Sequence, residues 1–298
     1  MSPPPSASGP TPAPGTAPPA VPGAGGLPKI VLEAPDGARA ELYLHGAHVT
    51  AWTPAGARGE RLFLSTASEF RADAAIRGGV PVIFPQFAGR GPLPRHGFAR
   101  TAEWTLVGVE RRERDVRVTL RLADSEATRA VWPHAFGAEL AVTVGGPMLR
   151  IALSVANLGT TPFDFTAALH SYLRVADVRR TVIAGLGGAR VEDPAADGAG
   201  RPATDAELHV AGEIDRVYLG VPRALEVRDG GRVTTVGATG FPDVVVWNPG
   251  PERGAALADL EPDGWLRMLC VEAAVVGAPV RLGPSERWEG AQTLTAAR

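Results

Sequence analysis

The sequence predicts an all-β protein, a large antiparallel β-sandwich, and three observations predict it. Apolar and polar residues alternate over short runs, turns rich in Gly, Pro and Asp separate those runs, and helical periodicity is weak throughout. The clearest run is residues 115–122, where Val116, Val118, Leu120 and Leu122 alternate with Arg117, Thr119 and Arg121. That pattern is a half-buried strand with one wet face.

Taken in order, residues 40–44 and 48–52 predict a first pair of strands, and residues 104–109 a third. Arg111-Arg112-Glu113-Arg114 then reads as the charged turn of a hairpin leading into 115–122. Residues 123–130 can make a turn or two of helix. Leu140, Val142 and Val144 restart the alternation, Gly145-Gly146-Pro147 turns the chain, and Ile151, Leu153 and Val155 run back. Further strands are predicted at 163–169, at 244–247, at 268–276 and at 288–294. A hairpin is predicted around Asp229-Gly230, between Leu225 and Val227 on one side and Val233 on the other. No repeat of 20–50 residues is present, which argues against a propeller.

The first 28 of the 298 residues stand apart, with 10 prolines and no charge before Lys29. Such a segment buries too little apolar surface to offset its conformational entropy, so disorder is expected over 1–28 and one sandwich domain over 29–298. The segment lacks a basic start, and its prolines interrupt any apolar run, so it does not read as a secretory signal. No stretch of 18 apolar residues predicts a membrane span. With 30 basic and 32 acidic residues the formal charge is −2, which gives no field for nucleic acid. The one cysteine, Cys270, excludes an intrachain disulfide and fits a reducing compartment. The expectation is a cytoplasmic monomer.

Candidate chemistry concentrates in residues 76–100, I-R-G-G-V-P-V-I-F-P-Q-F-A-G-R-G-P-L-P-R-H-G-F-A-R. Gly78 and Gly79 permit turns closed to other residues. Pro81 and Pro85 stiffen the backbone on either side of Phe84. Arg77, Arg95 and Arg100 surround one titratable imidazole, His96, a set able to grip a small anion and hand it a proton. A solvated loop is the plainer reading of such a segment. Among the other histidines, His45 and His48 are three apart, on opposite faces of a strand, and cannot share a metal without a bend. His134 and His209 have no supporting context. His170 ends the apolar run F-T-A-A-L-H, where a lone histidine is more often structural than catalytic. Glu272 sits in M-L-C-V-E-A-A-V-V, where burial would raise its pKa if it points inward and do nothing if it points out. No metal-ligand spacing, P-loop or Gly-x-Gly-x-x-Gly fingerprint is present, so no cofactor and no metal are expected.

R-G-G-V-P followed by H-G-F-A-R, with Trp104 four residues beyond, resembles the signature of the hexose-6-phosphate mutarotases, a branch of the aldose 1-epimerase family. H-S-Y-L-R-V-A-D and R-M-L-C-V-E-A-A resemble two further motifs of that family, and the likeness runs from about Lys29 to near Trp288. The resemblance implies a single extended sandwich of stacked antiparallel sheets, with a sugar site in a concave groove. It implies that His170 is the general acid that protonates the ring oxygen and Glu272 the base that takes the C1 hydroxyl proton, an imidazolium and a carboxylate on opposite sides of the sugar. His96 would support the ring oxygen or an adjacent hydroxyl and Asp215 would orient hydroxyls. Arg77 and Arg100 would take a phosphate, with Arg95 as a third contact. Arg95 departs from the pattern, since glutamine often precedes the motif histidine, and so does Gly250, since an aromatic residue often follows that proline. Asp243 reads as a structural turn residue, and Phe98 or Trp247 as a core aromatic able to face a sugar. The implied activity interconverts the α and β anomers of a hexose 6-phosphate. Its rivals are a mutarotase of unphosphorylated galactose or glucose, and a non-catalytic carbohydrate-binding sandwich.

Overall fold

The computed structural model describes residues 20–57, 59–193, 201–203, 206–221 and 224–297. Strands β1 (Val21–Pro22), β2 (Pro28–Glu33), β3 (Arg39–Tyr43) and β4 (His48–Thr53) form one sheet in chain order. They are followed by β5 (Val82–Ile83), β6 (Thr105–Arg111), β7 (Val116–Ala123), β8 (Phe136–Gly145) and β9 (Met148–Asn157). Next come β10 (Phe163–Leu169), β11 (Tyr172–Arg174), β12 (Val182–Ala184), β13 (Arg190–Glu192), β14 (Arg201–Pro202) and β15 (Glu207–His209). The last are β16 (Ile214–Leu219), β17 (Leu225–Asp229), β18 (Arg232–Thr239), β19 (Asp243–Asn248), β20 (Met268–Leu282) and β21 (Arg287–Ala296).

Two large antiparallel sheets make the sandwich. One runs β15-β12-β17-β18-β21-β9-β8-β7-β6; the other runs β14-β13-β16-β19-β20-β10-β5, with β11 continuing β10 along β20. The alternating run in β7 does what its pattern predicts: Val116, Val118, Leu120 and Leu122 enter the shared core with Leu140, Val142, Leu153 and Val155. β20 is apolar on both faces because both are covered. Leu269, Val271, Ala273 and Val275 face the main core, while Met268 and Cys270 pack with Phe63, Tyr172 and Trp247 on the outer face. A strand buried on both sides loses its alternation, so periodicity alone cannot say which face Glu272 occupies.

Several elements differ from expectation. Of the segment read as disordered, residues 1–19 lie outside the described residues, but residues 20–28 are built into the fold. Val21 and Pro22 pair with Lys29 and Pro28, and the Ala24 N–H donates to the Tyr43 hydroxyl at 3.0 Å. A proline-rich stretch suits a sheet edge, where its missing donors cost nothing. The short helix α1 (Glu126–Val131) starts three residues later than the predicted 123–130, because Ser125 and Thr128 form a capping box. β2, β5, β11–β16 and the helix α2 (Gly250–Ala255) were not expected; their strands are short or lie in an already buried layer.

Candidate functional site

His170 and Glu272 meet because of strand register. β10 pairs with β20 through Leu169↔Ala273, and β11 resumes through Tyr172↔Cys270, the same register on both sides of a two-residue break. His170 and Glu272 therefore stand directly opposite each other, on one face. Their Nε2 and Oε1 atoms are 3.3 Å apart. The two side chains expected to flank a sugar from opposite sides thus stand side by side, because the strand register sets them opposite each other. Burial, reinforced by the nearby His96 ring and the positive charges of Arg77 and Arg100, pushes the His170 pKa well below its ordinary value. Burial, with Asp215 adding repulsion, pushes Glu272 well above its own. The pair thus favours one shared proton in a neutral hydrogen bond over the expected carboxylate and imidazolium. His170 Nδ1 and Glu272 Oε2 are buried with no hydrogen-bond partner among the described residues. Polar atoms so placed are ready to take a ligand's hydroxyls.

His96 approaches from the loop after β5. Its backbone is left-handed, at φ 68°, as is that of Gly97, at φ 67°. A Cβ on Gly97 would lie 2.2 Å from the Phe84 carbonyl oxygen, so only glycine fits there. Gln86 staples this loop by donating to the Ala88 and Leu93 carbonyls and accepting from the Leu93 N–H. The Ala88 N–H donates to His96 Nδ1 at 3.3 Å. Burial, and then Arg100, Arg95 and Arg77, lower the His96 pKa to about 3. A neutral imidazole that accepts at Nδ1 carries its hydrogen on Nε2, so His96 is a fixed donor and not a proton shuttle. Its ring centroid is 5.7 Å from that of His170.

Arg77 is held on three sides. Its Nε and Nη2 donate to Asp259 at 3.1 and 3.0 Å, and its Nη1 donates to the Tyr172 hydroxyl at 3.0 Å. Burial alone would lower its pKa, but Tyr172 and Asp259 outweigh it and raise the value. The backbone before it is shaped by His45 Nε2, 2.7 Å from the Ala74 carbonyl, and that after it by His48 Nε2, 2.7 Å from the Gly78 carbonyl. These two histidines are structural, as expected. Arg100 donates to the Arg95 carbonyl at 3.1 Å, and neither Arg95 nor Arg100 makes an ion pair among the described residues. Burial pushes the Arg100 pKa down, with Arg77 and Arg95 adding repulsion.

Together these groups line one cavity of about 390 Å³. Arg77, Arg95, His96, Arg100, His170, Asp215 and Glu272 all border it, so the fold gathers the seven residues expected to act on a substrate. Asp215 and Trp247 share a register position on β16 and β19, and Val245 faces Glu272 across β19 and β20, which puts the floor on three adjacent strands. Trp247 borders the cavity, whereas Phe98 packs against Phe84, Trp132 and Phe136. Asp243 accepts from the Gly220, Val276 and Gly277 N–H groups, the turn-holding role expected of it. Gly250, at φ 64°, packs its Cα against Glu213, where a side chain would meet backbone at 2.6 Å.

Sequence reasoning missed Tyr172 and Asp259. Tyr172 lies two residues beyond His170, so period-2 counting could have placed it on the same face; its ring stacks on the imidazole at 4.8 Å and 12°. Asp259 left no such signal. It reaches Arg77 because Glu261, two residues on, accepts from Ser65 Oγ and the Thr66 N–H and pins the loop. Among the described residues, no group of three or more His, Cys, Asp or Glu could hold a metal ion, and no helix is long and apolar enough to cross a membrane.

Proteins from Cenchrus ciliaris and Escherichia coli (strain K12), each bearing the name "Putative glucose-6-phosphate 1-epimerase", are similar to this chain. The first is 33% identical, over 91% of this chain and 85% of its own; the second is 34% identical, over 91% of both. The crystal structure of YeaD from Salmonella typhimurium superposes with a TM-score of 0.84 at 34% identity, covering 91% of each chain. A galactose mutarotase related enzyme from Lactobacillus acidophilus shares the fold at 17% identity, with a TM-score of 0.71 over 91% of this chain and 97% of its own. The model of the aldose 1-epimerase family matches residues 28–295, nearly all of the described chain. By both the family match and these relatives, the chain belongs to the aldose 1-epimerase family.

Proposed function

We propose that this epimerase interconverts the α and β anomers of a hexose 6-phosphate, glucose 6-phosphate above all. The observation that carries the substrate is the arginine-rich wall of a cavity that also holds an acid–base pair: Arg77, Arg90, Arg95, Arg100 and Arg253 all border it. Arg77, Arg90 and Arg253 have carboxylate partners in Asp259, Glu192 and Glu213, whereas Arg95 and Arg100 have no ion pair among the described residues to balance them. A phosphate dianion supplies that balance through charge-assisted bonds. A neutral hexose does not.

The pair needs only one proton for the chemistry. A C1 hydroxyl set against Glu272 Oε2 gives its proton to the carboxylate while His170 Nε2 gives its proton to the ring oxygen O5. The C1–O5 bond breaks and C1=O1 forms. Glu272 is then protonated and His170 neutral, the state that burial favours, so the open-chain sugar is met by a relaxed pair. Rotation about C1–C2 exposes the other face, and closure runs the same transfers in reverse. The 3.3 Å contact between Oε1 and Nε2 lets the pair redistribute its proton between turnovers. His96 donates from Nε2 to O5 or a neighbouring hydroxyl, Asp215 accepts from hydroxyls, and Trp247 offers a ring plane to the sugar C–H face. The buried free Cys270 fits action in a reducing compartment, the cytoplasm.

Freshly dissolved α-glucose 6-phosphate and α-glucose, followed by polarimetry or exchange NMR against the spontaneous rate, test this reading. The phosphate ester should anomerise with the higher kcat/KM. Equal or better turnover of the free sugar would reassign the enzyme to neutral aldoses.

A further inference from the structure

The break between β10 and β11 leaves a buried hydrogen-bonding group to be satisfied. In an antiparallel ladder, Val271 and its opposite residue Ser171 would exchange two backbone bonds. One is made: the Val271 N–H donates to the Ser171 carbonyl at 3.1 Å. The other is not, because the Ser171 N–H turns back to the Leu169 carbonyl at 2.9 Å and the His170 N–H goes to Pro81. The Val271 carbonyl is instead capped from the opposite sheet. Gln292 of β21, 1% exposed, donates from Nε2 to the Val271 carbonyl at 2.9 Å and accepts at Oε1 from the Ser171 hydroxyl.

We propose that Gln292 is a positioning residue for the His170–Glu272 pair, a strut that replaces the missing ladder bond and sets the separation of acid and base. The proposal rests on the reading of those two residues as the catalytic pair. Each end of the strut grips a residue adjacent in sequence to one of them, Ser171 beside His170 and Val271 beside Glu272. Side chains of neighbouring strand residues point to opposite faces, so Ser171 reaches back into the sandwich while His170 projects into the site. The two strands at this point are otherwise joined by a single backbone bond. Room for error exists: Glu272 and Gln292 both border a second cavity of about 150 Å³ between the sheets. Without the strut, β20 has space to shift, and the Oε1–Nε2 contact goes with it. Substrate binding depends on other groups, the three arginines and Asp215.

Gln292→Met keeps the shape and removes both bonds, and Ser171→Ala removes one. With rates normalised to the folded fraction, Gln292→Met should lower kcat for glucose 6-phosphate by roughly 10- to 100-fold, the cost of a misplaced reacting group, and leave KM within about twofold. Ser171→Ala should do the same more mildly. Gln292→Glu can imitate the amide only as the neutral acid, which accepts from Ser171 and donates to the Val271 carbonyl. Its kcat, relative to wild type, should recover as pH falls. Independently of turnover, the His170 ring nitrogen signals in NMR spectra should move in Gln292→Met. A kcat per folded molecule within about twofold of wild type in both Gln292→Met and Ser171→Ala overturns the proposal, and so do unmoved His170 signals. If the wild-type protein fails to turn over any hexose 6-phosphate, the functional reading falls, and the His170 signals alone decide whether Gln292 sets the pair.

Discussion

At the scale of single residues, the proposed reaction asks for one proton-accepting oxygen, one proton-donating nitrogen and a bound anion. Glu272→Gln preserves shape and hydrogen bonding but removes the proposed base, and His170→Asn removes the proposed acid. Each is expected to lower kcat by roughly 10²-fold or more. The double variant should lose little beyond the worse single one, since both transfers belong to one ring-opening event. Near-normal turnover in Glu272→Gln, measured by exchange NMR, would end the mechanism. The arginines are not equivalent. Arg100→Ala removes an uncompensated cation and should weaken apparent affinity for glucose 6-phosphate by roughly 10- to 150-fold, one charge-assisted bond's worth. Arg77→Ala should cost at least as much, because it also leaves the Asp259 carboxylate unpaired beside the phosphate. Arg95→Gln, which restores the commoner residue, should be much milder. Parallel assays on free glucose should show little change in any of the three; an equal loss on both sugars would make these arginines structural. His170, Glu272, His96 and the arginines were legible in the sequence because each sits in a short motif whose likeness to a family gives it a role. Composition and periodicity alone left His170 as a structural histidine and Glu272 undecided. Asp259 was illegible because its contact with Arg77 spans 182 positions and depends on a loop pinned by Glu261.

At the scale of elements, hairpins with clean alternation were legible, and short pieces that complete a layer were not. β7 announced itself because one face is wet, and β8 and β9 because Glu139, Thr143, Arg150 and Ser154 interrupt their apolar residues and the turn between them carries glycine and proline. β11 carries three residues and β5 two; each is a strand only because a longer neighbour supplies its hydrogen bonds. The functional loops follow the second pattern. Residues 84–97 contain no regular element, and their shape comes from Gln86, from a close approach of Gly97 to Phe84, and from the left-handed backbone at His96. Gly97→Ala tests that account. Its Cβ would lie 2.2 Å from a backbone oxygen in a conformation that disfavours alanine, so the loop must move and take His96 with it. The expected cost is about 1–3 kcal/mol of stability or more, with a fall in kcat larger than the unfolded fraction explains. Urea titration and turnover on the same sample check both parts, and unchanged values in both would mean that the loop is not set by this contact.

At the scale of the whole molecule, a sandwich that buries its histidines ties stability to pH. His48 and His96 are both lowered to about 3, chiefly by burial, while in the unfolded chain each titrates near 6.5. Their folded values are depressed, so their contribution to stability is fully present above about pH 6.5. It is lost as pH falls toward 3, because the unfolded chain takes up protons that the native state refuses. Each such group adds a slope of about 1.4 kcal/mol per pH unit inside that window. The His170–Glu272 pair adds nothing near pH 5.5. Folded, it holds one proton on a raised Glu272 beside a lowered His170; unfolded, it holds one proton on histidine beside an ionised glutamate. Urea unfolding between pH 6 and 5 should therefore show stability falling with a slope that His48 and His96 supply above the carboxylate background, with His134, whose pKa burial also lowers, adding to it. His48→Gln isolates one of them. Its side-chain amide can donate to the Gly78 carbonyl as Nε2 of His48 does, yet it does not titrate. The variant should show a shallower slope between pH 6 and 5, by up to about 1.4 kcal/mol per pH unit, and keep its activity at pH 7, since the amide can keep the Gly78 bond that shapes the Arg77 loop. A slope equal to that of the wild type would show that His48 opens and takes up its proton before the molecule unfolds.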